Sequence, residues 1–160
     1  LAQTTAVQLA AAEHLLGSQP WDLFVWVDPL PDRIEHAFWA EHDATHFAAL
    51  DPTRRARHHE RVRAAYRDAD AHLGELLAGA PPAWIVVVSA HGFGPGLGPT
   101  RGDHAAAGIL VIAGPGLAGE AGEIPLVDVA PTLACLLGLP SDGMVGTVLA
   151  PVRRAHPGCR

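Results

Sequence analysis

Two short apolar runs, "WIVVVS" at 84–89 and "GILVIA" at 108–113, constrain the fold most strongly. Each has strand length, is rich in β-branched residues and is bounded by Gly or Pro, which suits strands buried on both faces. A third apolar run, "DLFVWV" at 22–27, is broken by Pro29 and Pro31. Helical patterns alternate with these runs. Residues 4–16 read as an amphipathic helix closed by Gly17, and a second helix starts near Asp32. Residues 53–78 form a long charged helix whose apolar stripe is Val62, Ala65, Tyr66, Ala69, Leu73, Leu76 and Leu77. The last helix, within "LVDVAPTLACLLGL" at 126–139, starts near Asp128 and ends at Gly138. Strands alternating with helices predict one α/β domain with a mostly parallel sheet over 1–150. Residues 151–160 read as a flexible tail.

In such sheets ligands collect beyond the carboxyl ends of the strands. That rule puts segments 28–36, 90–94 and 101–104 on one rim, carrying Asp32, His36, His91 and His104. Asp32 and His36 are four residues apart, so on a helix they share a face and can converge on one ion. Two imidazoles and a carboxylate with one open position form a usual catalytic zinc set. Each residue also has a plainer reading. Asp32 with Glu35 fits a capping box, and His36 by itself reads as a surface or packed histidine. The placement of histidines beyond three strand ends tips the balance toward metal. Asp28 and Asp103 lie close enough to the rim to orient a ligand imidazole. His42, His46, His58 and His59 read as solvated faces.

Other chemistries lack their residues. The formal charge of −6, with acidic residues spread along the chain, gives no nucleic-acid footprint. "GFGPGLG" lacks the Lys-Ser/Thr of a phosphate-binding P-loop. The chain has no G-x-S-x-G elbow, and Ser89 has no base beside it in sequence. Cys135 and Cys159 form neither a disulfide framework nor a zinc motif. There is no signal peptide and no apolar run of membrane-spanning length. Leu1 in place of Met leaves room upstream for a natural start, so the compartment is unknown.

Five segments taken in order resemble the alkaline phosphatase superfamily, specifically its type I phosphodiesterase/nucleotide pyrophosphatase branch. They are "DRIEHAFW" (32–39), "YRDADAHLGELL" (66–77), "IVVVSAHGFGP" (85–95), "GDHAAAGILVIAGPG" (102–116) and "VDVAPTLACLLGLP" (127–140). The resemblance implies the C-terminal part of an alkaline phosphatase-like, three-layer α/β/α domain. It implies two divalent metal ions, usually zinc, and hydrolysis of a small phosphoester through a Thr or Ser nucleophile. By the same resemblance Asp32, His36 and His104 match the ligands of one ion, and His91 matches a ligand of the second. Two departures follow. Ala90 stands where the family's Ser-Asp-His-Gly motif has aspartate, and no segment supplies the nucleophile or a further metal-binding aspartate. The expectation is therefore one intact metal site, one degraded site, no catalytic residue, and no turnover by this chain alone. The alternatives are a degenerate member kept for binding or assembly, or a sister-branch sulfatase or phosphomutase. A partial sheet would also leave apolar surface uncovered, so a missing N-terminal half or self-association is expected to cover it.

Overall fold

The computed structural model describes residues 2–79, 82–97 and 102–158. Arg101, at the edge of the expected rim, and Cys159 lie outside the described residues. The chain is α/β and divides into two compact units: 1–81 with 91–108, and 82–90 with 109–160.

The first unit opens with α1 (Ala2–Ser18). Its Leu9 and Ala12 pack with Leu76, Leu16, Phe24 and Trp26. At its end the Ser18 hydroxyl and the Trp21 indole N–H both donate to the Leu15 carbonyl, at 3.0 and 2.9 Å, which satisfies an orphan acceptor. Next come α2 (Leu30–His42), α3 (Pro52–His58) and α4 (Arg61–Gly79). The single helix expected over 53–78 is thus broken at His59 and Glu60. Leu30 and Ile34 of α2 bury against Val62 and Ala65 of α4, with Phe38 alongside. This apolar seam fixes α2, the helix that carries the candidate site.

"DLFVWV" is not a strand. Residues 23–29 carry no regular secondary structure. Phe24 and Trp26 turn inward, while Val25 and Val27 remain 71% and 73% exposed. The run has the period-two burial of a strand, but no described segment of its unit pairs with it.

The unit's only described ladder is a hairpin of β2 (Gly92–Pro95) and β3 (Gly102–Ala105), paired antiparallel with Phe93 opposite His104. The Gly/Pro-rich segment read as a loop over 90–104 therefore holds structure of its own.

In the second unit β1 (Ile85–Val88) pairs antiparallel with β4 (Leu110–Ala113), Ile85 opposite Ala113. Both described sheets are two-stranded and antiparallel, so the expected mostly parallel sheet is not seen among the described residues. The reason lies in the connection. Parallel neighbours need a crossover, usually helical, whereas a hairpin separates β1 from β4. Nor are these strands buried on both faces, since Val88, Ile109 and Val111 are exposed.

A short 3₁₀ turn (Leu126–Asp128) leads into α5 (Val129–Leu136), close to the sequence-based bounds. Gly138 closes the helix at φ +66°, a left-handed conformation that favours glycine. Thr132 is buried, donating to the Asp128 carbonyl at 2.7 Å and accepting from Leu149 N at 3.1 Å. Residues 151–155, expected within the flexible tail, instead belong to α6 (Ala150–Ala155). Val152, only 1% exposed, anchors it in a cluster with Val148, Leu149 and Ile112. Cys135 is disulfide-bonded, a crosslink the sequence reading did not anticipate. No helix among the described residues is long and apolar enough to cross a membrane.

Candidate metal centre

The first turn of α2 is built without help from Asp32. Pro29 precedes the helix and offers no capping side chain, and Asp28 Oδ1 instead accepts from Leu30 N at 2.9 Å. The capping-box reading of Asp32 and Glu35 is therefore overturned. Asp32, one turn before His36, is thus available to the histidines rather than to the helix backbone. Glycine then brings the hairpin close. A Cβ at Gly102 would lie 2.4 Å from both Phe93 Cε1 and Trp39 Cβ, so only glycine lets β3 approach α2 this closely. His104, two residues on, lies on the same face of the strand as Gly102.

The result is a three-donor cluster. His36 Nε2 and His104 Nε2 are 3.0 Å apart, His104 Nε2 and Asp32 Oδ1 3.1 Å, and His36 Nε2 and Asp32 Oδ1 3.6 Å. Ligands bound at 2.0–2.1 Å around a tetrahedral ion sit roughly 3.3 Å from one another. The three edges bracket that spacing. Two imidazole nitrogens and a carboxylate oxygen thus lie within 4.8 Å of one another, a donor set that can hold a divalent cation. Asp32, His36 and His104 side chains are 44%, 43% and 45% exposed, so the point they face is open to a further ligand. Phe93 lies edge-on to His36, with centroids 4.8 Å apart at 81°, and restrains that ring.

His91 is brought to the cluster but does not join it. Its ring stacks on His104 at 3.6 Å and 15°. Its Nδ1 lies 3.1 Å from the Gly92 carbonyl, an acceptor only, so Nδ1 carries a proton and Nε2 is the nitrogen that can serve as a ligand. A backbone-tethered imidazole of this kind is oriented as metal ligands commonly are. The three-residue cluster contains Asp32, His36 and His104, without His91.

The other polar groups near the rim have separate roles. Asp103 accepts from its neighbour His104 N at 2.8 Å and steadies the strand. Asp28 serves His72 and Leu30, not a cluster imidazole. Ser89 Oγ accepts from Ile109 N at 3.0 Å, a ladder role in the second unit. His46 is exposed and pairs with Asp43 at 2.7 Å, as a solvated histidine would. His58 departs from that reading: its ring lies 5.1 Å from Phe38 and its Nδ1 is buried.

Sequence reasoning missed Glu35 as a buried acid beside the cluster. Its Oε1 accepts from the Tyr66 hydroxyl at 2.9 Å. Burial pushes the Glu35 carboxyl above its ordinary range, with the charge of Asp32 adding to it, while Tyr66, His42 and His91 oppose the rise. Burial and then the Glu35 carboxylate push the Tyr66 phenol up to about 12. The available signal was Tyr66 itself, the chain's sole tyrosine, placed within an otherwise aliphatic helix stripe.

The sequence model of the family described as "Type I phosphodiesterase / nucleotide pyrophosphatase" matches residues 2–131. The chain belongs to this family. The match spans α1 through the start of α5 and includes every residue of the three-donor cluster. It also favours the phosphodiesterase branch over the sulfatase and phosphomutase branches. No curated protein and no solved structure matches the chain. The cluster of this type I phosphodiesterase family member suits the metal dependence usual in the family.

Proposed function

We propose that the chain carries one divalent-metal site of a phosphoric-ester hydrolase of the phosphodiesterase/pyrophosphatase type, with zinc as the ion. The observation behind this reading is the set of three donor edges among Asp32, His36 and His104, all near the tetrahedral value. The donor chemistry fits zinc, which takes imidazole and carboxylate ligands together and keeps an open position in catalytic sites. When bound, such an ion supplies Lewis-acid polarisation of a phosphoryl oxygen.

The chain's own residues contribute orientation and charge. Asp32 supplies the cluster's single carboxylate donor, so a divalent ion there would retain positive charge toward an anionic phosphoester. Phe93 limits rotation of His36 and the Gly92 carbonyl fixes the His91 tautomer. His91 is proposed as the remaining ligand of a second, degraded site. Ala90, immediately before it, has a methyl group that binds no metal.

A small phosphoester is the proposed substrate, and no catalytic nucleophile is assigned within this chain. In the complete domain, a mostly parallel three-layer sheet would extend from the extended run 22–27. The exposed Leu23, Val25 and Val27 are the surface that an N-terminal half or a second copy would cover. Zinc titration is the test. One tight ion per chain, lost on His36→Ala or His104→Ala, supports the reading, and two tight ions or none refute it. Chelator-sensitive hydrolysis of an activated aryl phosphodiester by this chain would refute its proposed inactivity.

Ala90 favours a second reading, a degenerate member kept for binding or assembly. Ala90→Asp discriminates: a gain in metal content points to a lapsed enzyme site, and no gain supports the non-catalytic role.

A further inference from the structure

We propose that Asp28 and His72 are a positioning pair that locks the first turn of α2 and thereby sets Asp32 for metal binding. The inference rests on the reading of Asp32, His36 and His104 as a metal site. It starts from the orphan N–H groups that every helix leaves at its start. Here Pro31 has no N–H, Pro29 has no capping side chain, and Arg33 N reaches the Pro29 carbonyl at 3.2 Å. Leu30 N is satisfied by Asp28 Oδ1 at 2.9 Å. That bond ties the chain just before α2 to its first residue, two positions from Asp32.

The second carboxylate oxygen of Asp28 is occupied as well. It accepts from His72 Nδ1 at 2.9 Å, and the two side chains are only 11% and 16% exposed. Trp26 lies edge-on to the His72 ring, centroids 5.8 Å apart at 84°. His72 belongs to α4, the helix on which α2 packs through Leu30, Ile34, Val62 and Ala65. One largely shielded carboxylate therefore connects the start of α2 to the body of α4 and steadies the turn that presents Asp32. Because Asp28 does the capping, Asp32 keeps its oxygens for the cluster.

A purely structural role predicts that loss of Asp28 lowers stability alone. A positioning role predicts loss of metal affinity beyond that of an equivalent cap elsewhere. Asp51 provides the equivalent: it caps α3 in the same unit, accepting from Thr53 N at 2.9 Å. Cobalt(II) added to the full chain reports both affinity and, through its visible absorption, ligand geometry. Asp28→Ala should weaken cobalt binding about tenfold and alter the visible bands, a size typical of supporting residues. Asp28→Asn keeps an acceptor for Leu30 N but sets an amide NH2 against His72 Nδ1–H, so its cobalt affinity should fall between the parent and Asp28→Ala. Asp51→Ala should lower the melting temperature and leave cobalt affinity unchanged. If Asp28→Ala does not fold, His72→Ala should weaken binding in the same direction and His72→Gln, which can still donate, should restore it. Parent-like affinity in Asp28→Ala, or in His72→Ala, overturns the proposal. So does an equal loss in Asp51→Ala. Failure of the parent chain itself to bind cobalt overturns the metal reading and this inference with it.

Discussion

Adding one methyl group at Gly102 should impair the metal centre without touching any of its donors. The new Cβ would lie 2.4 Å from Phe93 Cε1, 2.4 Å from Trp39 Cβ and 2.5 Å from Trp39 Cγ. Carbon atoms rest at about 3.5–4.0 Å, so the hairpin and α2 must separate by about 1 Å. Metal–ligand distances tolerate about 0.2 Å. His104 shares its strand face with Gly102, whereas Asp32 and His36 stay on α2, so the displacement falls on the cluster edges. Zinc affinity should drop on the order of 10–100-fold, as when a supporting residue is lost. The overpacking itself should cost about 1–3 kcal/mol. Competition against a chromophoric chelator measures the first effect and thermal unfolding the second. Gly94→Ala is the matched control, because a Cβ there meets only Ala105 Cβ at 3.9 Å, an ordinary contact. Parent-like zinc affinity in Gly102→Ala, or an equal loss in Gly94→Ala, would refute the argument that glycine sets the approach of β3.

Three further outcomes are expected. Glu41 is fully buried with Oε1 held by Arg54 Nε at 2.5 Å and Oε2 without a partner among the described residues. Arg54→Ala should therefore cost about 3 kcal/mol in urea unfolding, with partial recovery on adding Glu41→Gln. Burial raises the Asp43 pKa, but hydrogen bonds from His46 and Thr45 outweigh it and hold the carboxyl below its usual 3.8. A depressed folded pKa stabilises above the unfolded value and is lost as pH falls through the folded one, so Asp43→Asn should flatten the acid limb of a stability–pH curve below about pH 4. His91→Ala should leave one tight zinc per chain with affinity within about threefold, because the three-donor set excludes it; a larger loss would make His91 a ligand of that ion.

Asp32 and His36 were legible as a pair on one helix, whereas joining them to His104 rested on the family resemblance and on strand ends of a parallel sheet not seen among the described residues. Asp32 and His36 are four residues apart, and the hairpin histidines flank a Gly/Pro-rich turn. Burial preferences of single strands were a weaker guide. "WIVVVS" and "GILVIA" were found, but their antiparallel pairing depended on the intervening hairpin, whose glycines and prolines read as loop. "DLFVWV" shows the converse limit: apolar content predicts a strand only where another segment completes its ladder. Residues 151–155 were read as tail because two arginines mask a single buried anchor, Val152. The acid Glu35 escaped notice because its partner Tyr66 lies on another helix, a contact no spacing rule reveals.

Capping and catalysis compete for the same residue type at a helix start, and this chain separates them by two elements of order. An aspartate in the first turn is usually spent on the backbone. Here Asp28 meets that demand from outside the helix while His72 holds it from α4. Asp32, relieved of that role, stands within 3.6 Å of both cluster nitrogens. The hairpin completes the set only because Gly102 has no side chain. A sequence that kept Asp32, His36 and His104 but lost Asp28 or Gly102 would retain the motif and lose the geometry. On the proposed reading of Ala90, a metal site can fail at one missing ligand while the supports of its neighbour stay intact.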